Sequence, residues 1–149
     1  MFIPLTETLA RVIANAQGEA RRLNQDFIGT EHLALALLDQ DDSEAGRVLA
    51  QMNVESGYVR NALAHTLPAG QSAPVVTGRL PMSPKAQRLV THAIVAAQAA
   101  GKSRLSTSTM LATLLAETSG VVCEAFRRSG AEGSELVNAL RERQVTAEQ

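Results

Sequence analysis

The feature that most constrains this chain is a repeat. Shifted by 77 residues, positions 4–64 lie over 81–141 without a gap, and 11 of those 61 pairs are identical. The identities include Pro4/Pro81, Arg11/Arg88, Thr30/Thr107, Leu37/Leu114 and the run Asn61-Ala62-Leu63 over Asn138-Ala139-Leu140. Apolar character agrees at still more positions: Leu5/Met82, Val12/Leu89, Ile28/Leu105, Leu33/Met110, Leu49/Phe126 and Val59/Leu136. Self-similarity at a fixed period means that one supersecondary unit occurs twice, each copy with an apolar face to bury. Residues 4–66 and 81–143 therefore read as two copies, residues 67–80 as the linker, and residues 1–149 as one domain.

The unit is helical. Aromatic residues make up only 3% of a chain that is 45% hydrophobic, so its core is built from Ala, Leu and Val. Close-packed helices suit those residues, whereas strands favour β-branched and aromatic ones. In the first copy Thr6 reads as an N-cap with Glu7 in the first turn, and Leu9, Val12, Ile13, Ala16 and Ala20 recur at helical spacing. A break at Gln25–Gly29 is expected to plug the core with Phe27 and Ile28. Thr30 then caps a second helix, apolar nearly all round through Leu33, Leu35, Leu37 and Leu38, which is the pattern of a central, buried helix. Ala45 to Met52 gives a third helix stopped by Asn53, and Val54 to His65 a fourth.

The second copy opens on Ser83-Pro84, a serine cap with proline at the first helical position. Helices are expected over Lys85–Ala100, Thr107–Glu117, Gly120–Arg128 and Glu132–Arg143, with a polar tail from Gln144 to Gln149. The fold class is all-α, with two superimposable four-helix halves and no sheet.

Charge and cysteine content narrow the function. A formal net charge of −1 lacks the basic excess of a nucleic-acid surface. The single Cys123, on an apolar helix, excludes an internal disulfide and reads as inert core. No run of about 18 apolar residues could span a membrane, and nothing resembles a signal peptide, so the expected location is cytoplasmic.

Ala96 to Ser103 matches a relaxed phosphate-loop pattern ending Gly101-Lys102-Ser103. Such a loop needs a strand before it and a helix after it; here a helix precedes Gly101, which reads as that helix's C-cap. No ATP hydrolysis is expected. His32, His65 and His92 fall on three separate helices without metalloprotease spacing, so neither a metal nor any other cofactor is expected. His32, beside a cap, reads as a structural hydrogen-bonder. No nucleophile–base pair emerges, so the chain is not read as an enzyme.

Thr6-Glu7, Ala20-Arg21-Arg22-Leu23, Ile28-Gly29-Thr30-Glu31-His32-Leu33 and Leu37-Leu38 together resemble the Clp N-terminal domain, or Clp repeat domain, in its ClpC-like form. That domain stands at the front of Clp-type AAA+ unfoldases, and the resemblance implies eight helices in two pseudo-symmetric halves. It also implies a protein-binding module that receives substrates or adaptors and passes them to the ATPase ring and peptidase. An alternative is a free-standing accessory subunit that docks on the Clp protease complex and modulates its assembly. ClpC-like members recognise phosphorylated arginine, and the matching positions in the first copy are Thr6 and Glu31. A carboxylate can take a forked pair of hydrogen bonds from a guanidinium while helix N-termini offer amides to the phosphate. An acidic residue in a first turn also suits the helix dipole without any ligand. The second copy has Ser83, Ser106, Ser108 and Thr109 where the first has Thr6, Gly29, Glu31 and His32, so any second site there, at Ser83 and Ser108, is expected to be weak.

Overall fold

A computed structural model describes residues 3–66, 79–117, 121–130 and 133–142. Most of the expected linker, the Gly120 and Glu132 helix starts, and the tail after Glu142 lie outside the described residues. The described part holds α1 (Glu7–Arg22), α2 (Thr30–Asp39), α3 (Glu44–Gln51), α4 (Ser56–Thr66), α5 (Pro84–Ala99), α6 (Thr107–Glu117), α7 (Val121–Arg128) and α8 (Gly133–Glu142). Strand-like pairing among these residues is limited to two isolated bridges, Leu5 with Leu105 and Ile28 with Met82.

The 77-residue register holds down to single backbone angles. Asn24 (φ 57°) and Gly101 (φ 76°) occupy the left-handed region one repeat apart, as do Asn53 (φ 60°) and Gly130 (φ 89°). At the end of α1, Asn24 and Gln25 donate their amides to Arg21 and Ala20 O; at the end of α5, Gly101 and Lys102 donate to Gln98 and Ala97 O. These are paired Schellman closures, which need a left-handed residue just past the helix. Thr6 Oγ1 accepts the Leu9 amide at 3.1 Å and Ser83 Oγ accepts the Ala86 amide at 3.1 Å, so both first helices are capped alike.

α2 and α6 meet at the centre, and both carry buried runs, Leu33–Leu38 and Met110–Leu115. α1 and α4 pack on α2 as α5 and α8 pack on α6. The third helices cross over. α3 packs mainly against α6 and α8, and α7 mainly against α4, so each half is walled by a helix from the other. The two bridges are exchanged as well. Thr6 N–H donates to Leu105 O (2.9 Å) and Leu105 N–H to Pro4 O (2.9 Å); the counterparts are Ser83 N–H to Ile28 O (2.9 Å) and Ile28 N–H to Pro81 O (2.8 Å). This reciprocity is the signature of a local pseudo-two-fold.

The halves differ where α1, α2 and α4 meet. Glu19 is ion-paired with Arg22 and Arg60, and Arg60 also with Asp39. The register places Ala96, Ala99, Val137 and Ala116 at the corresponding positions, so the same junction is ionic in one half and apolar in the other.

Several expectations are corrected. Ile28 is buried, but Phe27 is 37% exposed and does not plug the core, because the alternation of an extended segment turns neighbouring side chains to opposite sides. Thr30 is the first residue of α2 and not its cap. Gly29 is the N-cap, and the His32 Nδ1 atom accepts its amide at 2.8 Å. His32 is thus a structural hydrogen-bonder as expected. Thr107 likewise opens α6, with Ser106 Oγ accepting the Thr109 amide at 3.4 Å. Cys123 is half-buried at the rim of the core, with its Sγ 3.5 Å from Leu115 O. Leu80, assigned to the linker, is buried, and its amide donates to Gln17 Oε1 at 3.2 Å.

Candidate functional site

The start of α2 is the most distinctive polar feature of the first half. Because residue 29 is glycine, the Glu31 carboxylate folds back into the space that a Cβ would fill. Thr30 Oγ1 donates to Glu31 Oε2 at 3.4 Å, and the Glu31 side chain keeps 31% exposure. Behind it His32 is buried, with the Phe27 ring edge-on to it at 6.4 Å between centroids. Burial holds the imidazole below its ordinary pKa, although the Glu31 and Glu19 carboxylates pull the other way. Neutral His32 can accept the Gly29 amide, so the cap depends on that low pKa. The outcome is a carboxylate about one-third exposed, held at the positive end of a capped helix.

The exchanged bridges decide which hydroxyl stands near which helix start. Ser83, bonded to Ile28, brings the start of α5 beside the start of α2. Thr6, bonded to Leu105, brings the start of α1 beside the start of α6. The predicted partners Thr6 and Glu31 belong to one repeat, but each is tied through the backbone to the other repeat's segment. Paired helix starts concentrate free N–H groups and positive field. The first turn of α5 adds the exposed Lys85 to the α2 pair, while that of α1 adds the exposed Glu7 to the α6 pair.

At the start of α6 the polar groups are buried instead. Ser106, Thr107 and Ser108 are each at most 5% exposed. Thr107 Oγ1 accepts the Ala45 amide at 3.1 Å, and Ser106 Oγ lies 3.4 Å from Glu44 Oε1, both from the crossing helix α3. The Ser108 hydroxyl is buried without a hydrogen-bond partner. Sequence reasoning singled out Ser108 but missed Glu44, since 62 residues separate it from Ser106 and no local pattern connects them.

A groove of about 440 Å³ runs along α1. Ala10, Ile13 and Ala14 form one wall, and Leu5, Ile28 and Met82 lie along it, with Arg79 at the rim. Periodicity assigned Ile13 to the core, yet it is half-buried and lines this groove. Helical spacing alone does not separate a core face from a groove wall.

The phosphate-loop match is helical where a strand would be required, since Ala96–Ala99 belong to α5 and Gly101 closes that helix. His32, His65 and His92 lie on α2, α4 and α5, and His65 Nδ1 is 2.7 Å from Asn61 O. Among the described residues no three His, Cys, Asp or Glu side chains are placed to share a metal ion. No helix among them is long and apolar enough to cross a membrane.

Comparison with known proteins agrees with this architecture. The chain is 30% identical over 136 residues to the chloroplastic chaperone protein ClpC1 of Arabidopsis thaliana; that match covers 91% of this chain but 14% of the chaperone. The Hsp104 N-terminal domain from Candida albicans has the same fold, with a TM-score of 0.77 at 17% identity over 93% of this chain and 90% of that one. So does the ClpV N-domain, solved as a complex with a VipB peptide, with a TM-score of 0.70 at 16% identity over 91% of this chain and 88% of that one. The Clp repeat (R) N-terminal domain profile matches residues 4–129, and the chain belongs to that family.

Proposed function

We propose that this chain is a protein-binding module that receives substrates or adaptors for a Clp-type unfoldase, and that its first-half site takes phosphorylated arginine. The observation that carries the proposal is the Glu31 carboxylate, seated against Gly29 at the start of α2 and one-third exposed. A guanidinium can dock on that carboxylate while its phosphate meets the adjoining helix starts and Lys85. The apolar groove beside Ile28 and Met82 suits the neighbouring side chains of an unfolded segment. The peptide complex of the ClpV N-domain supports peptide binding by this fold.

Calorimetric titration with phosphoarginine tests the proposal. One site per chain is expected, with Ser108 marking at most a weaker second one. Glu31→Gln should weaken binding roughly ten- to a hundredfold, since hydrogen bonds to charged groups are worth about 1.5–3 kcal/mol. Thr6→Ala and Ser83→Ala identify the hydroxyl that completes the site, and the exchanged bridge favours Ser83. Unchanged affinity in folded Glu31→Gln would leave Glu31 as a helix-end carboxylate only.

A further inference from the structure

Each of the two central helices has a carboxylate against its start, delivered by a different route. At α2 it is Glu31, on the helix itself and part-exposed. At α6 that position is Ser108, and the carboxylate is Glu44, arriving from the first half on α3. In the other direction, the register position matching Glu44 is Val121, which carries no carboxylate. We propose that Glu44 is an internal ligand: its carboxylate fills the anion seat at the start of α6, closes it to outside anions, and leaves a latent phosphate-class site beneath. The inference shares with the phosphoarginine proposal only the premise that these helix starts can hold an anion.

Three observations support this. Glu44 is 8% exposed, and a carboxylate is not withdrawn from water that far unless polar groups receive it. Here Ser106 Oγ is 3.4 Å from Glu44 Oε1, and the first-turn amides of α6 supply the favourable field. Second, the placement is held by the backbone, because the Ala45 amide next to Glu44 donates to Thr107 Oγ1. Third, Ser108, in the first turn of α6, keeps a fully buried hydroxyl with no hydrogen-bond partner. The polar capacity at this helix start therefore exceeds what the carboxylate uses, as expected where a small internal group stands in for a larger anion.

Electrostatics adds to the closure. An outside phosphate approaching α6 would meet Glu44 and, on the neighbouring first turn of α1, Glu7. At α2 it would meet Glu31 and, on the first turn of α5, Lys85. Like charge at one start and mixed charge at the other make the two halves unequal, although their backbones are in register.

The test is a titration of the whole chain with inorganic phosphate, followed by amide NMR shifts in wild type, Glu44→Ala and Glu44→Gln. In wild type the amides of residues 106–108 should not show a saturable shift. In Glu44→Ala they should, with affinity raised at least about tenfold, the scale of one charged contact. Glu44→Gln keeps the shape and removes the charge, so it gives the same direction of change if the alanine variant folds poorly. Wild-type amides at 106–108 that already saturate with phosphate, or a folded variant in which they stay still, would overturn the inference. Shifts at residues 29–31 in the same spectra report separately on the first-half site.

Discussion

The ionic junction of the first half can be exchanged for the apolar one that the second half already uses. Arg60→Val removes a partner from Glu19, whose side chain is 10% exposed, and leaves only Arg22, which is 58% exposed. Breaking a buried pair costs about 3–5 kcal/mol, and the remaining partner with partial solvent access reduces this to about 1–3 kcal/mol. At roughly 2–4 °C per kcal/mol for a domain of this size, Tm should fall by roughly 3–10 °C. Glu19→Ala with Arg60→Val installs the residues that the register has at Ala96 and Val137 and should lie within about 1 kcal/mol of wild type, because no charge is left stranded. Asp39 loses Arg60 too, but at 42% exposure water takes its place. Thermal melts of wild type, both single variants and the double variant complete a double-mutant cycle, with an expected coupling of about 1 kcal/mol or more. The pH profile gives a second readout. Burial pushes the Glu19 carboxyl up, but Arg22 and Arg60 outweigh it and hold the pKa below the ordinary value. The group thus adds stability above the unfolded glutamate pKa, near 4.3, and loses it as pH falls through the native pKa. The double variant should lack that contribution. If the double variant loses the sum of the two single losses, the cluster is not a replaceable pair and the reasoning fails.

Two glycines on helices should respond in opposite directions to the same change. At Gly46 an added Cβ would lie 2.6 Å from the carbonyl oxygens of Gln40 and Asp41, so Gly46→Ala should cost about 1–3 kcal/mol in denaturant unfolding. At Gly18 nothing lies within 4 Å, and Gly18→Ala should stabilise by about 0.8–1 kcal/mol; equal effects would refute the packing at the α3 start. His32 should make the fold sensitive to mild acid. Its native pKa is lowered, so stability is intact above the unfolded value near 6.5 and falls as pH drops from there towards the native pKa. His32→Gln can keep the bond to the Gly29 amide without titrating, so its Tm should be flatter across that window, and an unchanged slope would point to another group.

Much of the fold was legible because the repeat supplied two readings of each element. Thr6 and Ser83 were identified as caps, Asn53 as a stop and Gly101 as a closure, each from local chemistry that acts over three or four residues. The α2 cap was misplaced by one residue because His32 reaches back to Gly29, a role usually filled by Glu or Gln. Phe27 and Ile13 were assigned inward because apolar character does not say which side of a wall a residue lines. The candidate site was legible only as single residues. Which hydroxyl stands near the start of α2, and which carboxylate near Ser106, depends on the Ser83–Ile28 and Glu44–Ser106 bonds, between segments 55 and 62 residues apart, and those leave no periodic trace.

The exchanged bridges also bear on when this protein can fold. Helical domains are usually fast folders because their contacts are local in sequence. Here the backbone of Pro4 and Thr6 finds its partner only at Leu105, so closure spans a hundred residues. Individual helices can form as the chain leaves the ribosome. The segment around Thr6 nevertheless waits for one made about a hundred residues later before the Thr6 amide is satisfied. Loop closure over that distance adds entropy that grows only logarithmically, so the delay concerns order of assembly more than final stability. A nascent chain halted before residue 105 would hold α1 to α4 without the partner of Thr6, so this closure of the first half depends on synthesis reaching Leu105.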